Sequence, residues 1–193
     1  MSNDDYLQPD FYRFNEDSLK LVNFVSSQIK KTGRVIDIGS GCGVIGIELA
    51  QKITIDEIHF LELQPIFKDY LEMNIDLFIP KSKSEVIISS LGVFKSDLKY
   101  DLIVSNPPYY LPGAGQLGPN PHRNLCRSFL EEGWGELLQF IADHLAPLGI
   151  AVVVIKNDRQ ILKHVEAFVK QFPLKMQRKD DGEICFLQFS FAD

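Results

Sequence analysis

The chain has 193 residues, of which 45% are hydrophobic and 24% charged, and its formal net charge is −6. These values suit one globular domain with a substantial core, and no apolar run approaches the roughly 20 residues that a membrane-spanning helix needs. Proteins that bind nucleic acid tightly are usually basic, so the acidic balance argues against a general nucleic-acid-binding protein.

Three scattered cysteines and a polar start bear on the cell compartment. Cys42, Cys126 and Cys185 form no CxxC pair, which argues against both a disulfide framework and a zinc cluster. The first residues are acidic and polar, unlike a secretory signal. We therefore expect a cytoplasmic protein that binds neither a metal nor a membrane.

Short Val/Ile-rich runs alternate with amphipathic stretches, which is typical of βαβ units on a parallel sheet. In chain order, the first predicted elements are a helix over 15–31, a strand over 34–38, a helix that ends near 52, a strand over 58–61, a helix over 65–74 and a strand over 85–88. They are followed by a strand over 102–105, a long loop, a helix over 128–145, a strand over 150–155, a helix over 159–171 and two strands over 174–178 and 184–191. The pattern predicts an open, mostly parallel α/β sheet.

Two turn signals complete this prediction. Gly33 follows the first amphipathic stretch as a helix stop, and Asp180-Asp181-Gly182 is typical of a hairpin between the last two strands. We expect one compact domain, with residues 1–33 as a lead-in and first helix and residues 34–193 as the main domain. The sheet should end in an antiparallel hairpin.

A glycine-rich turn follows the first predicted strand and begins with Asp37. Gly39, Gly41 and Gly43 alternate with other residues, so the backbone can turn sharply and approach a ligand closely. Glu62 ends the second predicted strand, where a carboxylate can accept hydrogen bonds from a ribose diol. Ligands of open α/β sheets bind at the carboxyl ends of the strands, and both features lie there. The spacing also fits a dinucleotide fingerprint, so the glycines alone leave the ligand undecided.

The sequence Asn106-Pro107-Pro108-Tyr109 closes the fourth predicted strand. An exocyclic amine or amide nitrogen has a delocalised lone pair, and two acceptors that grip its hydrogens make it a better nucleophile. The Asn106 side-chain carbonyl and the Pro107 backbone carbonyl can supply them, while Pro107-Pro108 holds the backbone in place. Tyr109 offers a face for a planar base, and such stacking contributes about 1–3 kcal/mol. These four residues predict N-methylation and are our candidate catalytic residues.

Together these motifs resemble the class I S-adenosylmethionine-dependent methyltransferases, in particular the tRNA adenine-N6 group of the "methyltransferase small" family. The stretches Tyr12-Arg13-Phe14, Asp17-Ser18-Leu19 and Glu62-Leu63-Gln64 are also similar to that group. The resemblance implies a seven-stranded Rossmann-like sheet, S-adenosylmethionine as cofactor, and tRNA or another structured RNA as substrate. The residues it implies for cofactor binding are Asp37, Gly39, Ser40, Gly41, Cys42, Gly43, Glu62, Leu63 and Ser90. The acidic residue usual after the third strand is absent, so its contact with the cofactor adenine is either missing or made by Ser89 or Ser90.

The long loop gives candidate substrate-binding residues. No acidic residue lies between Asp101 and Glu131, whereas Arg123 and Arg127 do. We expect these two arginines to contact phosphate, with Tyr110 also on the substrate side.

Several other functions remain open from the sequence. A protein glutamine N5-methyltransferase of the release-factor type shares the Asn-Pro-Pro-Tyr motif, but those enzymes place a helical domain before the glycine loop, and about 33 residues precede the first strand here. DNA adenine and small-molecule amines are further substrates. A nicotinamide-dependent oxidoreductase would explain the glycine loop and leave Asn106 without a role. A non-catalytic relative would be expected to lose one motif, and both are present.

Overall fold

The computed structural model describes residues 5–108, 118–127 and 133–192. Its strands are β1 (Lys31–Ile38), β2 (Thr54–Glu62), β3 (Ser84–Ile88), β4 (Tyr100–Ser105), β5 (Leu145–Lys156), β6 (Leu174–Asp181) and β7 (Ile184–Phe191). They form a seven-stranded sheet in the order β3-β2-β1-β4-β5-β7-β6. Strands β1 to β5 are parallel, and β7 pairs antiparallel with both β5 and β6. The predicted open α/β sheet with a terminal hairpin is confirmed.

Helices cover both faces of this sheet. They are α1 (Glu16–Gln28), α2 (Val44–Lys52), a short 3-10 helix (Pro65–Phe67), α3 (Lys68–Phe78), α4 (Pro121–Leu125), α5 (Trp134–His144) and α6 (Arg159–Val169). One core packs α1, α2 and α3 against the sheet, and another packs α5 and α6 against the opposite face. The sheet is therefore buried on both sides, as parallel sheets usually are. No described helix is long and apolar enough to span a membrane.

The first helix is shorter than predicted. It ends at Gln28, and β1 already begins at Lys31. Gly33 lies inside β1, so its prediction as a helix stop was wrong. A Cβ on Gly33 would collide with the carboxylate of Asp101, which accepts a hydrogen bond from the Arg34 amide at 2.8 Å. The glycine permits this close approach of a neighbouring side chain.

Two further boundaries differ from the prediction. Helix α5 is described from Trp134, since residues 128–132 lie outside the described ranges, and β5 follows it directly at Leu145. Leu145 already pairs with Tyr100 of β4, and after a shift in register Ile150 pairs with Leu102. The irregular stretch before Ile150 therefore belongs to the strand. The short helix α4 was not predicted, although Asn120 caps it by accepting from the Arg123 amide and proline follows the cap.

Candidate active site

The sheet brings the two sequence motifs to one edge. Ile38 at the end of β1 is paired with Leu61 of β2 on one side and with Ser105 of β4 on the other. The glycine loop after Ile38, the carboxylate of Glu62 and the amide of Asn106 therefore leave three adjacent parallel strands at the same end. This is the edge at which open α/β sheets bind ligands.

The glycines of the loop face different surroundings. Gly39, Gly41 and Gly43 have φ values of 68°, 54° and 84°, a left-handed conformation that favours glycine. A Cβ on Gly39 would meet no described atom within 4 Å, whereas one on Gly43 would press against Leu71 of α3. Gly46, inside α2, has no room because Phe60 of β2 lies against it. Gly39 is thus open toward ligand space, whereas Gly43 and Gly46 permit close packing.

Asp37 is fully buried beneath this loop. Its Oδ2 accepts a hydrogen bond from the Gly46 amide at 3.0 Å, and its Oδ1 has no hydrogen-bond partner among the described residues. The hydroxyl of Ser40, also buried, is likewise without a partner in that part of the chain. Burial, reinforced by the nearby charge of Glu62, raises the pKa of Asp37 to about 7. Such unsatisfied buried polar atoms are typical of a ligand site.

Glu62 is held in a fixed orientation at the end of β2. Its Oε2 accepts from the Gly41 amide and its Oε1 from the Gln64 amide, both at 2.8 Å. The side chain is buried, so the carboxylate is directed by backbone groups rather than by solvent. This arrangement links the glycine loop to the turn after β2.

A small cavity of about 50 Å³ lies between the ends of β1, β2 and β4. Gly39, Leu63, Ser89 and Pro107 are among its lining residues. Ser90, which was predicted to bind cofactor, is not among them, and its carbonyl accepts hydrogen bonds from the next turn. Of Ser89 and Ser90, it is therefore Ser89 that faces this cavity.

The lead-in before α1 lies over the glycine loop. Asn74 of α3, fully buried, donates to the Leu7 and Cys42 carbonyls at 3.0 Å and accepts from the Leu7 amide at 3.0 Å. This anchor places the ring of Tyr12 next to Gly41. Cys42 itself is buried, and burial raises the pKa of its thiol to about 12, which suits packing rather than nucleophilic chemistry.

Asn106 lines a larger cleft of about 520 Å³. The hydroxyl of Ser105 donates to the Ile38 carbonyl at 2.9 Å and so fixes the end of β4 next to the glycine loop. Pro107 and Pro108 also line the cleft, whose volume lies within the range of about 300–1,000 Å³ common for ligand sites. Tyr109 and Tyr110 lie outside the described residues.

Four cationic side chains line the same cleft. The predicted Arg123 and Arg127 are joined there by Arg13 of the lead-in and by Lys156, and Asp10 is the one acidic residue among the described residues of its lining. We call these four cations the basic rim. Lys156 ends β5, which neighbours β4, so its position at a strand end was the signal that could have identified it.

Helix α4, which carries Arg123 and is followed closely by Arg127, is attached to the turn after β2. Gln64, buried, donates to the His122 carbonyl at 3.3 Å and to the Cys126 sulfur at 3.4 Å. Its Oε1 lies 2.9 Å from His122 Nδ1, and Phe11 stacks on the same imidazole. Within the described ranges, no group of His, Cys, Asp and Glu side chains could hold a metal ion.

Comparisons with known proteins agree with this geometry. The sequence model of the methyltransferase small domain matches residues 13–180. The tRNA1(Val) (adenine(37)-N6)-methyltransferase of Bacteroides fragilis is 32% identical over 133 residues, which cover 67% of this chain and 55% of that protein. The Bacteroides thetaiotaomicron protein of the same name is 29% identical over 133 residues, 68% of this chain and 55% of that one. The chain thus spans about half the length of these curated relatives.

Solved structures share the fold at low sequence identity. The precorrin-6y C5,15-methyltransferase of Geobacter metallireducens superposes with a TM-score of 0.64 at 13% identity, over 98% of this chain and 95% of that one. An rRNA methylase of Streptococcus thermophilus gives a TM-score of 0.60 at 12% identity, over 89% and 94% of the two chains. These structural similarities establish the fold of the chain and nothing about its activity.

Proposed function

This chain belongs to the methyltransferase small domain family, and on that premise we propose that it methylates the exocyclic N6 of an adenine in structured RNA. S-adenosylmethionine is the methyl donor, and tRNA is the first substrate to test. The names of the curated relatives support an adenine in tRNA as the target.

One observation carries this proposal. The amide of Asn106 and the basic rim line the same cleft of about 520 Å³, on a chain whose net charge is −6. An amide that can accept from an amine suits a planar nitrogen, and clustered cations suit the phosphates that deliver a nucleobase. A nicotinamide-dependent oxidoreductase would need neither the amide of Asn106 nor the cluster of cations. An enzyme that methylates a glutamine side chain would need the amide but not the cations.

The glycine loop and its carboxylates suit S-adenosylmethionine, which supplies an electrophilic methyl group when bound. A carboxylate oxygen accepts more than one hydrogen bond, so Glu62 can receive ribose hydroxyls in addition to its two backbone amides. Asp37 Oδ1 and Ser40 Oγ are buried acceptors for polar groups of the amino-acid portion. Gly39, Leu63 and Ser89 line the adjacent cavity. The predicted contacts of Gly41, Cys42, Gly43 and Ser90 stay predictions.

The chain's own residues activate the target nitrogen. Asn106 Oδ1 and the Pro107 carbonyl accept its two hydrogens, which favours a nitrogen lone pair available for bonding to the methyl carbon. Pro108 restricts the backbone, so these acceptors are held in place before the substrate binds. Tyr109 remains the predicted stacking partner of the base, which must leave its helix to reach the cleft. Little general-base strength is needed, because the nitrogen becomes more acidic once the methyl is attached.

Methyl-labelled S-adenosylmethionine tests this proposal directly. The purified protein is incubated with cell extract, and label is counted in the small-RNA, DNA and protein fractions. We expect label in small RNA that Asn106→Ala abolishes and that Asn23→Ala, a change at an exposed asparagine of α1, leaves intact. Label in a single protein band would instead support glutamine methylation. Undiminished RNA labelling by Asn106→Ala would contradict the proposed role of the amide.

A further inference from the structure

The amide of Asn106 is held by the start of α1. Its Nδ2 donates to Ser18 Oγ at 3.0 Å and to Asn15 Oδ1 at 3.3 Å. Asn15 in turn donates from its own Nδ2 to Asp17 Oδ2 at 2.9 Å. Ser18 is buried, whereas Asn15 is exposed. A chain of hydrogen bonds therefore runs from the first turn of α1 to the amide that lines the cleft.

The order of donors and acceptors along this chain fixes which way each amide points. An ionised carboxylate only accepts, so Asp17 requires the Nδ2 of Asn15 to face it. Asn15 must then present its oxygen to Asn106, and Asn106 must present its nitrogen to α1. Reversing either amide would bring two donors or two acceptors together. The Asn106 carbonyl oxygen, on the other branch of the amide, is consequently directed away from α1.

The conformation of Asn15 supports this reading. Asn15 is the N-cap residue of α1, a position where an asparagine side chain usually accepts from the first helical amides. Here the backbone is extended, with φ −109° and ψ 171°, and the side chain makes no capping bond. The helix forgoes that bond while the same side chain joins Asp17 and Asn106.

We propose that Asp17, Asn15 and Ser18 are positioning residues that hold the Asn106 carbonyl in the orientation needed to accept from the target amine. The inference rests on the proposed function, because the orientation of the amide matters only if its oxygen grips the substrate. It gives a role to the Asp17-Ser18 pair, which was notable in the sequence but had no assigned task.

Kinetics of matched variants test the inference. Ser18→Ala and Asn15→Ala each remove an acceptor of Asn106, and we expect kcat to fall by roughly three- to tenfold, the size of one lost hydrogen bond. The affinity for S-adenosylmethionine should change by less than about twofold, since the lost contact acts on the transition state. Asp17→Ala should lower kcat in the same way. Glu16→Ala, which removes an equal charge from the same helical turn, should leave kcat unchanged.

A second readout does not depend on finding the substrate. In nitrogen-15 spectra, the side-chain NH₂ of Asn106 is identified by its absence in Asn106→Ala. We expect Ser18→Ala and Asp17→Ala to shift this signal and speed its exchange with solvent, and Glu16→Ala to leave it in place. Melting curves verify that each variant is folded.

The outcomes separate the two hypotheses. If Asn106→Ala abolishes methylation while the three α1 variants behave as Glu16→Ala does, the positioning role is overturned and the proposed function stands. If Asn106→Ala leaves methylation intact, the amide does not act in catalysis, and the positioning role fails with it. The proposed function itself fails if the wild-type protein puts no label into RNA. If the NH₂ signal of Asn106 is unchanged in both Ser18→Ala and Asp17→Ala, the chain of hydrogen bonds itself is overturned.

Discussion

The side chain of Tyr12 lies across the turn at Gly41, with its hydroxyl oxygen 3.3 Å from the place that a Cβ on Gly41 would occupy. The side chain is partly buried, and removal of its hydroxyl from solvent raises its pKa well above the usual value. Phe67 packs against the ring edge-to-face at a centroid distance of 5.1 Å. The lead-in therefore forms a wall of the proposed cofactor site, even though it precedes the sheet in the chain.

Alanine substitutions at Gly39 and Gly182 form a matched pair that tests whether a ligand binds next to Gly39. The two glycines have φ values of 68° and 65°, and a Cβ on either would meet no described atom within 4 Å. We expect Gly39→Ala and Gly182→Ala to lower the free energy of unfolding by a similar amount, about 1–2 kcal/mol, because both force alanine into a left-handed conformation. Only Gly39→Ala should weaken S-adenosylmethionine binding, by about tenfold or more, which is about 1.4 kcal/mol. Equal affinities by calorimetry would contradict a ligand over Gly39.

Asp37 should make stability depend on pH. Burial raises its pKa in the folded protein from the usual 3.8 to about 7, so the folded state binds the proton more tightly than the unfolded chain does. The free energy of unfolding should therefore fall as pH rises from about 4 to 7 and level off above that. Asp37→Asn, which stays neutral, should melt higher than the wild type at pH 8 and lose this slope. A slope that is unchanged in the variant would rule out Asp37 as its source.

The basic rim should govern RNA binding rather than chemistry. Arg123→Ala, Arg127→Ala and Lys156→Ala should each raise the KM for RNA several-fold and reduce the salt dependence of binding by about 0.7–0.9 in log–log slope, since each loses one phosphate contact. Lys81→Ala is the matched control, because this exposed lysine precedes β3 and lies toward the opposite edge of the sheet. A rim variant with the same salt slope as Lys81→Ala does not contact phosphate.

Asn74 should anchor the lead-in. Asn74→Ala removes three hydrogen bonds of a fully buried amide and leaves two Leu7 groups and the Cys42 carbonyl without them. We expect the free energy of unfolding to fall by about 2–4 kcal/mol and proteolysis within the lead-in to accelerate. Asn23→Ala, on the exposed face of α1, should change stability by less than about 0.5 kcal/mol. Equal protease sensitivity of the two variants would show that Asn74 does not hold the lead-in.

Much of the fold could be predicted because its strands are buried on both faces. Such strands are continuous β-branched runs, as in β4 and the second half of β5, and all seven strands were found at their predicted places. The boundaries were harder, because β5 starts with the irregular stretch 145–149 and Gly33 serves a contact with Asp101 instead of ending a helix. Local patterns contain no information about contacts between distant segments.

The candidate site also contains residues that could be predicted from the sequence and residues that could not. Asp37, Glu62 and Asn106 could be placed together because each follows a predicted parallel strand, and strand ends meet at one edge. Tyr12 and Arg13 lie at the site in a segment that Asn74 bonds at Leu7. That contact joins residues 67 positions apart, so the sequence pattern does not show it.

The attachment of α4 by Gln64 has a thermodynamic consequence. Gln64 joins Glu62, the proposed ribose-binding residue, to the helix that carries Arg123: its backbone amide donates to Glu62 and its side chain donates to the His122 carbonyl. A ligand that orders this arrangement at one end reduces the conformational entropy that the protein loses when the second ligand binds at the other end. Cofactor and nucleic acid should accordingly bind with positive cooperativity, and the factor by which each strengthens the other must be identical.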